Sequence, residues 1–263
     1  MIPQRYIEEW RATAPWALDP QVEQDLVIAR AMVEIFSDDL LKKSLAFRGG
    51  TALHKLYLTP QIRYSEDIDL VQINAEPINP ILKRMRDKLS FLGMKRVVKQ
   101  HIHNNTVVYR FESEMQPVIP MRLKIEINTR EHLNVFGLKE IPYELKSSWY
   151  SGECNITGYE LEELLATKLR ALYQRKKGRD LFDLYWALTQ QNIDTEKLIY
   201  CYQLYIKNVV NTPPTQKQFL ANMNEKMLDK DFREDIYLLL RKGIEYDIDE
   251  AWELVRKELV EQI

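Results

Sequence analysis

The chain has 263 residues, 45% hydrophobic and 29% charged, a balance that suits one or two ordinary globular domains with a sizeable core. A formal net charge of -2 and a pI near 6.2 exclude nucleic-acid binding by bulk charge, so any such contact needs a local basic patch. Two distant cysteines, Cys154 and Cys201, exclude a disulfide scaffold and suit a reduced, cytoplasmic protein, and no run approaches the roughly 18 uninterrupted apolar residues of a membrane span.

Residues 19–43 are predicted as a helix. Asp19 caps it, Pro20 takes the first position, and Val22, Leu26, Ala29, Met32, Val33 and Phe36 recur at helical spacing. Trp10 and Trp16 pack it from upstream, and Asp38-Asp39 reads as a solvated helix face. A short apolar link then reaches Gly49-Gly50, where the missing Cβ atoms let backbone N–H groups approach an anion. Residues 51–58 are predicted as a helix with Thr51 as its cap. The residues alone leave two readings, an ordinary turn or a phosphate cradle. Asp67 and Asp69 open the apolar run 68–73, and on a strand residues two apart share a face. They are either a solvated strand end or paired ligands for a divalent metal that faces a phosphate.

A helix is predicted from Asn79-Pro80 to Gly93, with Ile81, Leu82, Met85, Leu89 and Leu92 as its apolar stripe and a solvated basic surface elsewhere. Runs 95–102 and 106–112 are predicted as a hairpin; His101 and His103 share a strand face and are read as exposed hairpin residues. In 122–128, Leu123, Ile125 and Ile127 face one way while Lys124, Glu126 and Asn128 face the other, the pattern of a half-buried strand. Residues 138–149 are predicted as irregular. From Gly158 the pattern turns helical, which sets expected domains of 1–158 and 159–263. Leu161, Leu164, Leu165, Leu169 and Leu172 form a buried stripe beside Lys168, whose ammonium would ordinarily snorkel to water. After Gly178, Asp180 and Asp183 lie three apart in the first turn of the next helix, where negative charge is favourable. Tyr200, Tyr202 and Tyr205 read as packing.

Four blocks stand in a fixed order: Gly49-Gly50-Thr51; Arg63-Tyr64-Ser65-Glu66-Asp67-Ile68-Asp69; Lys124-Ile125-Glu126-Ile127; and Lys168 followed by Arg179-Asp180-Leu181-Phe182-Asp183-Leu184-Tyr185. The first two resemble the signature of the DNA polymerase β-like nucleotidyltransferase superfamily. The whole set is similar to its AbiEii/AbiGii branch, the nucleotidyltransferase toxins of type IV toxin–antitoxin and abortive-infection systems, related to mycobacterial MenT toxins. The resemblance implies an α+β fold, a mixed sheet with flanking helices followed by a helical C-terminal domain that completes the nucleotide site. It implies transfer of a nucleoside monophosphate from an NTP to an acceptor hydroxyl, with the 3′ end of tRNA as a candidate acceptor. Asp67 and Asp69 would hold one or two Mg²⁺ with Glu126 as third acid. Gly49, Gly50, Thr51 and Ser65 would hold phosphates, Lys168 and Arg179 would clamp the triphosphate, and Asp180 would orient Lys168 or the acceptor. The partner gene would encode an antitoxin. A transferase acting on a small molecule or protein, or a nucleotide-binding module without turnover, remains open. The expected RNA patches are Arg175, Lys176, Lys177 and Arg179, or Lys95, Arg96 and Lys99.

Overall fold

A computed structural model describes residues 2–263 as two compact units, the first ending at Tyr159 and the second starting at Glu160. The first unit runs α1 (Gln4–Trp10), α2 (Asp19–Phe36), α3 (Asp39–Ser44), β1 (Leu45–Arg48), α4 (Gly49–Leu56), β2 (Asp67–Gln72), α5 (Asn79–Lys88), β3 (Arg96–Gln100), β4 (Asn104–Glu112), β5 (Pro120–Asn128), β6 (Lys139–Lys146) and β7 (Ser151–Gly158). Its seven strands form one mixed sheet in the order β3-β4-β5-β2-β1-β7-β6. β2 runs parallel to β5 and antiparallel to β1, while β1 runs parallel to β7. Alternation decides which face is covered. Leu123, Ile125 and Ile127 of β5, with Ile68 and Leu70 of β2, are buried, and the residues between them face outward.

Helix α2 belongs to the covered side and is buried almost all round, which fits its near-continuous apolar sequence. Two polar residues on it act as anchors. Gln24 Nε2 donates to the carbonyls of Glu66 and Arg122 at 3.2 and 2.9 Å, which ties the approach to β2 and the start of β5 together. Buried Asp25 accepts from Trp10 Nε1 at 3.0 Å and from Lys55 Nζ at 2.9 Å, which fixes α1 and α4 against α2. A buried carboxylate with this many donors keeps its charge compensated.

The path of this unit departs from the sequence expectation at two stretches, and Asp19, expected as a cap, is the first residue of α2, with Leu18 as its N-cap. The helix expected over 19–43 stops at Phe36, and Asp38 starts a new one by accepting the N–H groups of Leu40 and Leu41, each at 3.2 Å. Asp38 is therefore a buried N-cap, with its second oxygen 2.6 Å from Arg84 Nε, and not a solvated residue. Aspartate competes with the helix backbone in this way. The stretch 138–149 contributes strand β6, paired with β7 in a hairpin. β6 contains Pro142, and it lies at the edge of the sheet, where a missing N–H is tolerated.

The second unit is helical: α6 (Leu161–Gln174), α7 (Gly178–Gln190), α8 (Thr195–Lys207), α9 (Gln216–Met227), α10 (Lys230–Glu234) and α11 (Ile248–Glu258). Helix α6 packs against α7, α8 and α9. Buried Lys226 of α9 donates to the carbonyls of Leu172 and Tyr173 at 2.5 and 2.8 Å, satisfying the last turn of α6. Burial lowers that ammonium's pKa to about 8. Tyr202 and Tyr205 are buried and serve packing as expected, whereas Tyr200, expected to pack with them, is exposed. Gly178 is required by contact, since a Cβ there would lie 2.1 Å from the Phe232 carbonyl.

Candidate active site

Arg48 ends β1, and α4 begins directly at Gly49, so the glycine pair forms the first turn of the helix instead of preceding it. Gly49 has φ +82°, and a Cβ there would fall 2.2 Å from Oδ2 of Asp69. No other residue type combines that backbone with that approach. The sequence thus brings the first turn of α4 directly against a carboxylate. Thr51 does not cap the helix. Its Oγ1 donates to the Asp67 carbonyl at 2.5 Å and lies 2.7 Å from Ser65 Oγ, which holds the entry to β2 against α4. Arg63 is buried behind the turn, donating to the Tyr64 carbonyl at 3.0 Å, and its Nη2 fills the space a Cβ on Gly50 would need.

Register aligns the three expected acids. Asp69 of β2 is opposite Glu126 of β5, and Asp67 is opposite Lys124, all on the outward face. Lys124 Nζ stands between two of the acids, 2.7 Å from Asp67 Oδ2 and 3.3 Å from Glu126 Oε1. Burial pushes Asp67 up to about 6, opposed by Lys124 and reinforced by the charges of Asp69 and Glu66. Lys124 is shifted upward in turn: burial works against its charge, but Asp67 and then Glu126 outweigh it.

These residues suit a hard divalent cation. The donors are all carboxylate oxygens, they share one face, and they already draw a cationic group between them. Among the described residues no three His, Cys, Asp or Glu side chains are gathered closely enough to cage a metal as they stand. The trio is aligned but spread, with Lys124 as its counter-ion.

In the helical unit, Lys168 does not snorkel. Its Nζ lies 3.3 Å from Asp180 Oδ1 and 2.8 Å from Asp183 Oδ2, and both carboxylates are fully buried. Arg175 closes the cluster with Nε and Nη2 on Asp180 at 2.6 and 2.8 Å. Burial alone would raise Asp180, but Lys168 and Arg175 outweigh it and hold the carboxyl below its usual range. Lys168 is held between the two carboxylates, with the shorter contact to Asp183, while Arg175 makes the shorter contacts to Asp180. Arg179 pairs instead with Asp235, its backbone N–H donating at 3.2 Å and its Nε lying at 3.7 Å. Lys176 and Lys177 pair with Asp229 and Asp235 at 2.6 and 3.3 Å. Every cation of the patch expected at 175–179 thus shares its charge with a carboxylate.

Sequence reasoning gave no role to Lys124, Arg63 or Arg175 within these clusters. Lys124 was legible in principle, because it precedes Glu126 by two on the same strand face. Arg175 was not, since its partner Asp180 lies across a helix break.

Residues 30–258 match the family described as nucleotidyl transferase AbiEii toxin, type IV TA system. No curated protein sequence matches. Among solved structures, the MenT4 nucleotidyltransferase toxin of Mycobacterium tuberculosis superimposes with TM-score 0.62 at 16% identity, over 98% of this chain and 88% of that one. JHP933 of Helicobacter pylori gives 0.53 at 19% identity, covering 93% and 95%. At these identities the likeness speaks for the fold, the expected mixed sheet with flanking helices followed by a helical unit. The family match spans both the glycine-carboxylate turn and the Lys168–Asp180 cluster, and the chain belongs to the AbiEii family of nucleotidyltransferase toxins.

Proposed function

We propose that this nucleotidyltransferase moves a nucleoside monophosphate from an NTP to an acceptor hydroxyl on RNA, with the 3′ end of tRNA as the leading candidate, and that an antitoxin encoded beside it restrains it. The observation that carries the chemistry is the packing of Gly49 against Asp69 in a row with Asp67 and Glu126. Such transfer forms a bond from the acceptor oxygen to the α-phosphorus and breaks the bond to the β-phosphate, releasing pyrophosphate. It needs positioning and charge neutralisation more than covalent help. Asp67, Asp69 and Glu126 would hold Mg²⁺, which supplies charge neutralisation on the phosphates. Gly49, Gly50 and Thr51, with Ser65 behind them, shape the turn whose N–H groups face a terminal phosphate. Glu126 accepts the proton of the attacking hydroxyl. Lys168, Arg179 and Asp180 are assigned to the nucleotide's triphosphate, a role in which phosphate oxygens would replace the carboxylates that Lys168 shares with Asp180 and Asp183 and Arg179 shares with Asp235.

Incubation with each α-labelled NTP and total RNA, with Mg²⁺ or with EDTA, tests the reading. Label entering an RNA band only with Mg²⁺, and absent for Asp69→Asn, is expected. Label that enters RNA equally well with the Asp69→Asn protein would overturn it.

A further inference from the structure

The outward face that carries Asp67, Asp69 and Glu126 does not end at β5. Register continues it across two more strands: Glu126 is opposite Thr106, and Thr106 is opposite Lys99; Lys124 is opposite Val108, and Val108 is opposite Val97. One row further, Arg122 is opposite Arg110, whose N–H bonds to the Lys95 carbonyl. Strand alternation puts Lys95, Val97 and Lys99 on this same face. Lys95, Lys99, Arg110 and Arg122 are all exposed and, among the described residues, none makes an ion pair. The chain is acidic overall, yet these four cations share one sheet face outside any ion pair, with Glu112, two residues from Arg110 on β4, the carboxylate nearest them in the register. The helical patch is the reverse case, with each cation already paired.

We propose that the outward face of β3, β4 and β5 is the track on which single-stranded RNA lies when its end is presented to the carboxylates. The proposal rests on the transferase reading and goes beyond it by naming the docking surface. Arg122 lies four residues from Glu126 on one strand, about 13 Å away, and β3 lies about 10 Å across from β5. At a stacked spacing of about 3.4 Å that length takes about four nucleotides. Lys95, Lys99, Arg110 and Arg122 meet phosphates, while Val97 and Val108, side by side between the cationic rows, offer an apolar seat for a base. A polyanion is the occupant the charge selects. Its line leads to the acids through Lys124, the cation that touches them.

The test is anisotropy of a labelled, mixed-sequence single-stranded RNA of about 12 nucleotides, titrated with the full-length protein at about 50 to 300 mM salt. Arg110→Gln/Arg122→Gln is expected to bind about tenfold or more weakly, with the log–log salt slope smaller by about 1.4, because two phosphate contacts are lost. Lys95→Gln/Lys99→Gln behaves alike, while Lys176→Gln/Lys177→Gln stays within about twofold of wild type, since those lysines are already paired. Curves for the sheet-face variants that superimpose on wild type overturn the proposal, as does a larger effect at Lys176 and Lys177. A wild-type protein that ignores the RNA at low salt also overturns it, and leaves an acidic protein as the occupant. Calorimetry with Mn²⁺ keeps the two readings apart. Failure of the wild type to bind Mn²⁺ would strike the transferase reading alone, whereas RNA curves unaffected by the variants, with Mn²⁺ bound normally, strike this proposal alone.

Discussion

Replacing Gly49 by alanine perturbs the turn at its tightest point. A side chain at φ +82° costs about 1–2 kcal/mol for its left-handed backbone. The new Cβ would lie 2.2 Å from Asp69 Oδ2 and 2.9 Å from both Cβ and Cγ of Asp69. Ordinary contacts lie near 3.5 Å or beyond, so the carboxylate must move by about 1 Å, and turning it off its rotamer costs about 0.5–1.5 kcal/mol more. The sum, about 2–3 kcal/mol, corresponds to a melting point lowered by roughly 5–10 °C in a chain of this size. A displacement of that size at a reacting centre costs about a hundredfold in rate. Gly50→Ala is the internal control: its Cβ would press on Arg63 Nη2 at 2.5 Å, the far end of a flexible side chain, and Gly50 has no positive φ. Thermal melting and label transfer on both variants test the reasoning. It is refuted if Gly49→Ala keeps the wild-type melting point and rate, or if Gly50→Ala is the more damaged of the two.

Lys124→Met removes the ammonium that would compete with the proposed metal for Asp67 and Glu126. Two partly exposed ion pairs are worth about 0.2–1 kcal/mol each, so Mn²⁺ should bind roughly tenfold tighter by calorimetry, and unchanged affinity would contradict the competition. Asp67 is held up to about 6 chiefly by burial, so between its unfolded value near 4 and about 6 the native state binds more protons than the unfolded chain. Stability of the metal-free protein should therefore fall as pH rises through that window, by at most about 3 kcal/mol, and Asp67→Asn should flatten the dependence; urea midpoints that rise instead would reverse the assignment. Lys168→Met strips a cation from two fully buried carboxylates, so a loss of about 3–5 kcal/mol is expected. Lys168→Met/Asp183→Asn should recover part of it, and a single variant as stable as wild type would exclude a structural share for Lys168.

The sequence made the chemistry-bearing strands legible because their signals are local. Alternation in 122–128 and the two-residue spacing of Asp67 and Asp69 fix which side chains share a face, whatever packs behind them. The helical stripe of α6 was legible for the same reason. What escaped depended on contacts remote in the chain. Asp38 looked solvated because its partner Arg84 lies on α5, and Pro142 hid β6 because only the sheet order shows that β6 is an edge. The patch at 175–179 seemed available because Asp229 and Asp235, which pair with three of its cations, come from far along the chain. Lys124 stood in plain view beside Glu126, but its reach to Asp67 required the parallel pairing of β2 with β5.

The central claim is that the Asp67–Asp69–Glu126 face supports transfer of a nucleoside monophosphate. Parallel reactions with α-labelled and γ-labelled NTP, total RNA and Mg²⁺ test it most directly, with Asp69→Asn beside the wild type. The account predicts α-label in RNA and an equal amount of γ-label in pyrophosphate, with both lost in Asp69→Asn. Label from the γ position appearing in RNA, or equal incorporation by Asp69→Asn, would contradict it.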